Sequence, residues 1–128
     1  MSKEGPHLKA AVFCEKVLRE SDGVSSLIRI IDRLNLTTSG PEAPDSMPKT
    51  TYNLHVVIML IPDRARGRRD IKIEIEDPSG LKRKKPFLAT VQMEGEERSC
   101  FVSWWLLMGN RHEGLYWFHV WLDDDLLT

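Results

Sequence analysis

The sequence is poor in the features that most often identify a function. Only two cysteines occur among 128 residues, and 18 basic residues nearly balance 19 acidic ones, for a net charge of −1. A balanced charge gives no general attraction to nucleic acid or to an anionic membrane. The longest apolar run, Val56 to Ile61, is far too short to span a bilayer. We therefore expect no membrane span, and we do not expect nucleic acid as a partner.

The recognisable patterns of catalysis and metal binding are also missing. No serine lies in a nucleophile elbow, and there is no glycine-rich phosphate loop. The serines at or beside turns are Ser21, Ser25, Ser26 and Ser79. His112, Glu113 and His119 stand near Asp123–Asp125, but their spacing fits neither a zinc site nor a calcium loop. We expect no catalytic residue, no metal and no cofactor, and an enzyme with a metal or thiol centre is the least favoured hypothesis. A calcium site of the C2 type takes aspartates from several loops, and the candidates are too scattered to suggest one: Asp22, Asp63, Asp77 and Asp123.

The first residues, Met1 to His7, lack the apolar segment of a secretory signal peptide. This favours a cytoplasmic protein, in which Cys14 and Cys100 stay reduced and behave as small buried hydrophobes. In a secreted sandwich, two cysteines so far apart in sequence might instead clamp two sheets together. The hydrophobic fraction of 41% and the charged fraction of 29% are typical of a soluble globular protein, and the length fits one domain, residues 1–128.

Alternation of apolar and polar residues predicts an all-β chain without a long helix. Leu8–Leu18 has helix-forming residues, but the turn at Glu20–Gly23 and a second β-branched run favour an antiparallel hairpin over residues 8–36. A loop rich in Pro, Ser and Thr follows over residues 37–50, and the remaining strands lie within 51–122. The fold class is an antiparallel β-sandwich of about seven strands. The predicted strands are Leu8–Leu18, Ser25–Leu36, Thr51–Ile61, Ile71–Ile75, Pro86–Met93, Cys100–Leu107 and Leu115–Leu122.

Two of these strands carry informative patterns. Thr51–Ile61 is apolar on both faces from Leu54 onward apart from His55, which predicts a central strand. Ile71–Ile75 alternates isoleucine with charged residues, which predicts one buried face and one wet face. The segment Gly109–Gly114 is predicted to be a hairpin turn that joins the last two strands.

Residues at both ends of the chain carry a resemblance. The opening strand Ala10-Ala11-Val12-Phe13-Cys14-Glu15, the Asp22-Gly23 turn, the second strand that ends in Asp32 and the closing Gly114-Leu115-Tyr116-Trp117-Phe118-His119-Val120 resemble a family of small uncharacterised bacterial proteins. The resemblance implies an immunoglobulin- or C2-like sandwich and no particular activity. Members of that family often continue with one more apolar strand, so the resemblance also implies that a strand after Leu127 is missing and that a sheet edge is left open.

The most pronounced local concentration of charge consists of two clusters of basic residues. Arg64, Arg66, Arg68 and Arg69 precede the Ile71–Ile75 strand, and Lys82, Arg83, Lys84 and Lys85 follow it. We predict that both groups lie in turns, at opposite ends of that strand. Such turns keep an edge strand solvated. Alternatively, they form a patch that binds anions or nucleic acid, although the scarcity of aromatic residues among them argues against base stacking.

The last strand has two faces, and both carry aromatic residues. Tyr116, Phe118, Val120 and Leu122 form the face that we predict to be core. Trp117, His119 and Trp121 then point outward, where either a loop covers them or they form a surface for a partner or a second copy. The leading hypothesis is therefore a non-enzymatic protein that acts through protein–protein contact, as a homo-oligomer or as an assembly subunit. The alternative is a small-ligand or anion-binding module that uses the basic turns at residues 64–69 and 82–85.

Overall fold

A computed structural model describes residues 6–35, 40, 50–83, 85–94, 100–110 and 113–128, with their side chains except those of residues 50, 51, 100 and 106–110. These residues form eight β-strands and no helix, so the described part of the chain contains no helix that could cross a membrane. Most of the predicted 37–50 loop lies outside the described residues. The strands are β1 (His7–Arg19), β2 (Ser25–Ile31), β3 (Thr50–Ile61), β4 (Arg66–Glu76), β5 (Phe87–Glu94), β6 (Cys100–Asn110), β7 (Trp117–Leu122) and β8 (Asp125–Leu126).

The strands form two four-stranded sheets, with the orders β2-β1-β3-β6 and β5-β4-β7-β8. Antiparallel pairing joins β1 to β2 in the first sheet and β5, β4, β7 and β8 in series in the second. The predicted all-β fold class is therefore confirmed, with two antiparallel sheets as in a β-sandwich. The immunoglobulin- or C2-like assignment stays a prediction.

The first hairpin is confirmed, but its second strand is shorter than predicted. Cys14 of β1 stands opposite Ile30 of β2, and Phe13 stands opposite Ile31. β2 ends at Ile31 rather than at Leu36. Arg29 has a left-handed backbone, with a φ of 55°. This conformation interrupts the register at Arg29, and pairing with β1 resumes at Ile30 and Ile31.

The central position predicted for β3 is also confirmed, since β3 lies between β1 and β6. Val56, Val57 and Ile58 are consecutive and all buried, so both faces of this strand are covered. A strand buried on both faces needs apolar residues without alternation, which is what the sequence shows.

One predicted pairing is wrong. The last two long strands were expected to form a hairpin through Gly109–Gly114, but β6 belongs to the first sheet and β7 to the second. β6 already includes Gly109 and Asn110, and β7 begins at Trp117 rather than at Leu115. The apolar residues of β7 pair with β4 instead, where Val120 stands opposite Ile73. Both residues are buried, so this pairing continues the apolar face of β4 across the sheet.

The chain divides into two compact units. One contains β4, β5, β7 and β8 with the ends of β1, β3 and β6, and its buried core consists of Ile58, Leu60, Ile71, Ile73, Ile75, Val91, Met93, Val120 and Leu122. The other contains β2 with the remaining parts of β1, β3 and β6, and its buried residues include Cys14, Leu54, Val56 and Val57.

Candidate functional site

The second sheet has a buried face and an outer face. On β4, Ile71, Ile73 and Ile75 are buried, and the residues between them are exposed or half-buried. This confirms the predicted wet face, because successive side chains of a strand point to opposite sides. We call the outward side of β5-β4-β7-β8 the outer face. On β4 it carries Arg66, Arg68, Asp70, Lys72, Glu74 and Glu76.

The strand register places the residues of the predicted partner surface on the outer face. Trp117, His119 and Trp121 of β7 stand opposite Glu76, Glu74 and Lys72 of β4, respectively. The opposite side of β7 is turned inward, with Val120 and Leu122 buried and Phe118 half-buried. Tyr116, also predicted to be core, precedes β7 and is half-buried.

Trp117 is the exposed anchor of the outer face. Its ring remains 55% exposed and stacks on His119, with ring centroids 6.5 Å apart and an angle of 18° between the planes. His119 is held in turn by Glu76, whose Oε2 lies 3.2 Å from His119 Nε2. A large side chain that is already held in one orientation loses little conformational entropy when a partner covers it.

Trp121 is less accessible to a partner than Trp117. The Lys72 ammonium lies 5.2 Å from the centroid of its ring, a cation–π contact. Its Nε1 is buried and has no hydrogen-bond partner among the described residues. Lys72 also lies 3.7 Å from Glu74 Oε1, so charged side chains partly cover this end of the aromatic row. The three predicted residues therefore share a face, but Trp117 is its most exposed aromatic residue.

Two leucines of this face were not predicted as part of it. Leu88 of β5 stands opposite Lys72 and is 68% exposed, and Leu126 of β8 stands opposite Trp121 and is 54% exposed. Lys72 and Trp121 are paired with each other, so the four side chains form one row across the sheet. Three of its members are apolar, namely Leu88, Trp121 and Leu126, and exposed apolar area on a solvent-facing sheet is a feature of contact surfaces. Only the strand register reveals the row, because the four residues are far apart in the sequence.

The basic residues are arranged differently from the prediction. Arg66, Arg68 and Arg69 lie in β4 and not in a turn, because β5 extends far enough to pair Arg66 with Glu94. Arg64 does lie in the turn between β3 and β4. Lys82 forms an isolated bridge with Glu76, at the far end of β4. The other members of the second basic group are Arg83, near Lys82, Lys85, which is exposed, and Lys84, which lies outside the described residues.

The two basic groups thus lie toward opposite ends of β4. At roughly 3.3 Å per residue, Arg66 is about 33 Å and Arg69 about 23 Å from Glu76, where Lys82 pairs. Both distances exceed the Debye length of roughly 8 Å at physiological ionic strength, so the groups act as separate charges. Arg69 is also engaged, since its Nη1 donates to Asp123 Oδ2 at 2.9 Å.

Asp123 joins β4 to the β7–β8 hairpin. Its Oδ2 accepts from Arg69, and its Oδ1 accepts the backbone N–H of Asp70 at 3.1 Å. The Asp123 N–H donates to the Asp70 carbonyl at 2.8 Å. The Asp70 N–H and the Arg69 guanidinium lower the pKa of the Asp123 carboxyl. A residue considered above as a possible metal ligand is therefore occupied in holding the sheet together.

The other candidate ligands are dispersed. No group of three or more His, Cys, Asp or Glu side chains suited to a metal ion occurs among the described residues, and His112 lies outside them. Asp22 and Asp77 accept backbone N–H groups within their own turns, from Val24 and Leu81 among others. These two carboxylates stabilise turns.

Cys14 is a free thiol within β1 and is fully buried. Burial raises the pKa of the Cys14 thiol, an effect that a hydrogen bond from the Lys16 backbone partly offsets. A reactive cysteine has a lowered pKa and is accessible, so Cys14 has the properties of a structural residue. The side chain of Cys100 is outside the described residues.

Comparison of the chain with protein-family models, with curated proteins and with solved structures finds no match in any of the three. The outer face must therefore be interpreted from its own chemistry.

Proposed function

We propose that this chain is a non-enzymatic, cytoplasmic protein that acts through protein–protein contact, as a homo-oligomer or as a subunit of an assembly. The contact surface is the outer face, with Trp117, His119 and Trp121 as its aromatic row. The free thiol of Cys14 supports the cytoplasmic location, since the cytosol keeps thiols reduced.

The observation that carries the proposal is the exposure of a rigidly held tryptophan on a sheet face that also carries two exposed leucines. Trp117 stacks on His119, which Glu76 holds, so the ring is oriented before any partner arrives. Tryptophan is enriched among the residues that dominate binding energy at interfaces, and flanking apolar residues exclude water around it. Leu88 and Leu126 lie on the same face in the row of Trp121, four residues along β7 from Trp117, and extend the apolar area of the surface.

The alternative, a module that binds small anions through the basic residues, has weaker support. Its two groups are separated by the length of β4, and Arg69 is paired with Asp123. Each group would have to bind an anion by itself. Retention on a heparin column that falls when Arg64 and Arg66 are replaced by glutamine would favour this alternative.

The main proposal is tested by replacing two exposed tryptophans separately and comparing the effects on binding. Trp117→Ser removes the anchor of the outer face, and Trp105→Ser removes a ring of β6 that is 64% exposed in the other compact unit. Because both rings are largely in solvent, both variants should keep the circular dichroism spectrum and cooperative unfolding of the parent protein. Self-association is measured by sedimentation velocity, and partner binding by affinity capture followed by mass spectrometry.

The proposal expects Trp117→Ser to lose a contact, with itself or with a captured protein, that Trp105→Ser retains. A buried tryptophan anchor contributes about 2 kcal/mol or more of binding, so the loss should be at least about thirtyfold. Equal behaviour of the two variants, both folded and both retaining every contact, would contradict the proposal.

A further inference from the structure

The charges on the outer side of β4 follow an unusual order. From one end of the strand to the other, the outward side chains read positive, positive, negative, positive, negative, negative. Reversing the strand inverts every sign in this order. The residues are Arg66, Arg68, Asp70, Lys72, Glu74 and Glu76.

This antisymmetry makes the strand complementary to a reversed copy of itself. If two β4 strands face each other antiparallel, centred at Ile71, then Arg66 stands over Glu76, Arg68 over Glu74 and Asp70 over Lys72. Each pair occurs twice, because a two-fold axis repeats every contact. All six contacts join opposite charges.

The pattern specifies a single arrangement. With parallel strands related by a two-fold axis, each charge would face its own copy, so every contact would be repulsive. If the antiparallel centre moves to residue 70 or 72, two aspartates or two lysines face each other. Charged side chains arranged in this way favour one orientation and one register over all the others.

The side chains at the basic end are available for such contacts. Arg66 and Arg68 are exposed, and neither has a side-chain hydrogen bond or ion pair with another described residue. Face-to-face sheets lie about 10 Å apart, a gap that arginine and glutamate side chains can bridge together.

We propose that the outer face binds a second copy of this chain, with the two β4 strands antiparallel and a two-fold axis crossing them at Ile71. This inference rests on the proposed contact function and names its partner. It also gives Trp117 a role, because Trp117 is the β7 neighbour of Glu76. The second copy's Arg66, positioned over Glu76, comes within reach of the Trp117 ring for a cation–π contact.

A charge-exchange experiment tests the arrangement. One variant carries Arg66→Glu and Arg68→Glu, and the other carries Glu74→Arg and Glu76→Arg. In each variant alone, four of the six contacts become repulsive, so self-association should weaken by at least about tenfold. In an equimolar mixture, all six contacts between the two variants are again attractive, so a heterodimer should form. Sedimentation velocity with a fluorescent label on one variant detects it.

Two controls are needed: self-association at high salt, and the folded state of each variant. High salt should weaken the parent dimer, because it screens exposed charges. Circular dichroism checks that both variants fold. Glu74 and Glu76 contact Lys72 and His119, respectively. If the double replacement of these glutamates unfolds the protein, the single variants Arg66→Glu and Glu76→Arg are mixed instead.

Two results would overturn the inference: a parent protein that is monomeric at all concentrations, or folded variants that do not associate when mixed. Either result leaves the broader proposal to be decided separately by the Trp117 and Trp105 comparison. Loss of a different captured protein with Trp117→Ser would then show that the face binds another chain.

Discussion

Replacement of Asp123 tests whether its carboxylate holds β4 to the β7–β8 hairpin. Asp123→Ala removes the acceptor of the Asp70 N–H and the ion-pair partner of Arg69. It also places alanine at a backbone φ of 50°, a left-handed conformation that aspartate and asparagine tolerate better. Asp123→Asn keeps that tolerance and one acceptor oxygen but loses the charge.

The expected cost follows from these contacts. The lost hydrogen bond to the Asp70 N–H is worth about 1 kcal/mol. The side chains of Arg69 and Asp123 are 36% and 39% exposed, so solvent screening limits the ion pair to roughly 0.5–1 kcal/mol. Left-handed alanine adds about 1 kcal/mol. We expect Asp123→Ala to lower the free energy of unfolding by about 2–3 kcal/mol. Asp123→Asn should cost about 1 kcal/mol or less.

The pH dependence has a definite sign. The pKa of Asp123 is lowered in the folded protein, so its contribution is complete above the ordinary unfolded pKa of about 3.9 and is lost as the pH falls through the folded pKa. The stability difference between the parent and Asp123→Asn should therefore shrink in acid.

Urea denaturation followed by circular dichroism, at several pH values, measures both effects. Asp124→Ala is the matched control, since Asp124 is the exposed neighbour in the same turn and should change stability by less than about 0.5 kcal/mol. Equal costs for Asp123→Ala and Asp124→Ala, or a difference between the parent and Asp123→Asn that does not change with pH, would refute the role assigned to this carboxylate.

Two further predictions concern backbone space and thiol chemistry. A Cβ on Gly114, which has a φ of 130°, would lie 2.9 Å from Pro78 Cβ, whereas a Cβ on Gly80 would meet no atom within 4 Å. Gly114→Ala should therefore destabilise the protein by about 1 kcal/mol more than Gly80→Ala in thermal denaturation, and equal losses would show that Pro78 yields. Cys14 should react with iodoacetamide much more slowly in the native protein than in denaturant, as peptide mapping by mass spectrometry would measure, because its thiol is buried and its pKa is raised. Equally fast alkylation would contradict its burial.

The sequence predicts the strands well, because alternation and turn residues are local signals. The isoleucines of β4 and the unbroken apolar run of β3 each indicate how many faces of the strand are buried, and the structure confirms both. The division of β7 into an inner and an outer side follows from the same period of two residues.

Strand pairing could not be predicted in the same way. β6 and β7 are consecutive and both aromatic, which favoured a hairpin, yet they lie in different sheets. Pairing depends on which apolar faces meet when the chain folds, and β7 places buried Val120 opposite buried Ile73 of β4. The place of Leu88 and Leu126 on the outer face depends on this pairing, so it could not be predicted from the sequence either. Arg66, Arg68 and Arg69 are predicted to lie in a turn, whereas pairing with β5 makes them part of β4.

Hydroxyl-radical footprinting of the two exposed tryptophans tests the central claim most directly. In one dilution series of the parent protein, mass spectrometry follows the oxidation of Trp117 and Trp105 together. If the outer face binds a second copy, Trp117 becomes protected as the concentration rises, while Trp105 is oxidised at the same rate throughout. Protection of Trp105 alone, or the same oxidation of Trp117 at every concentration, would contradict the claim.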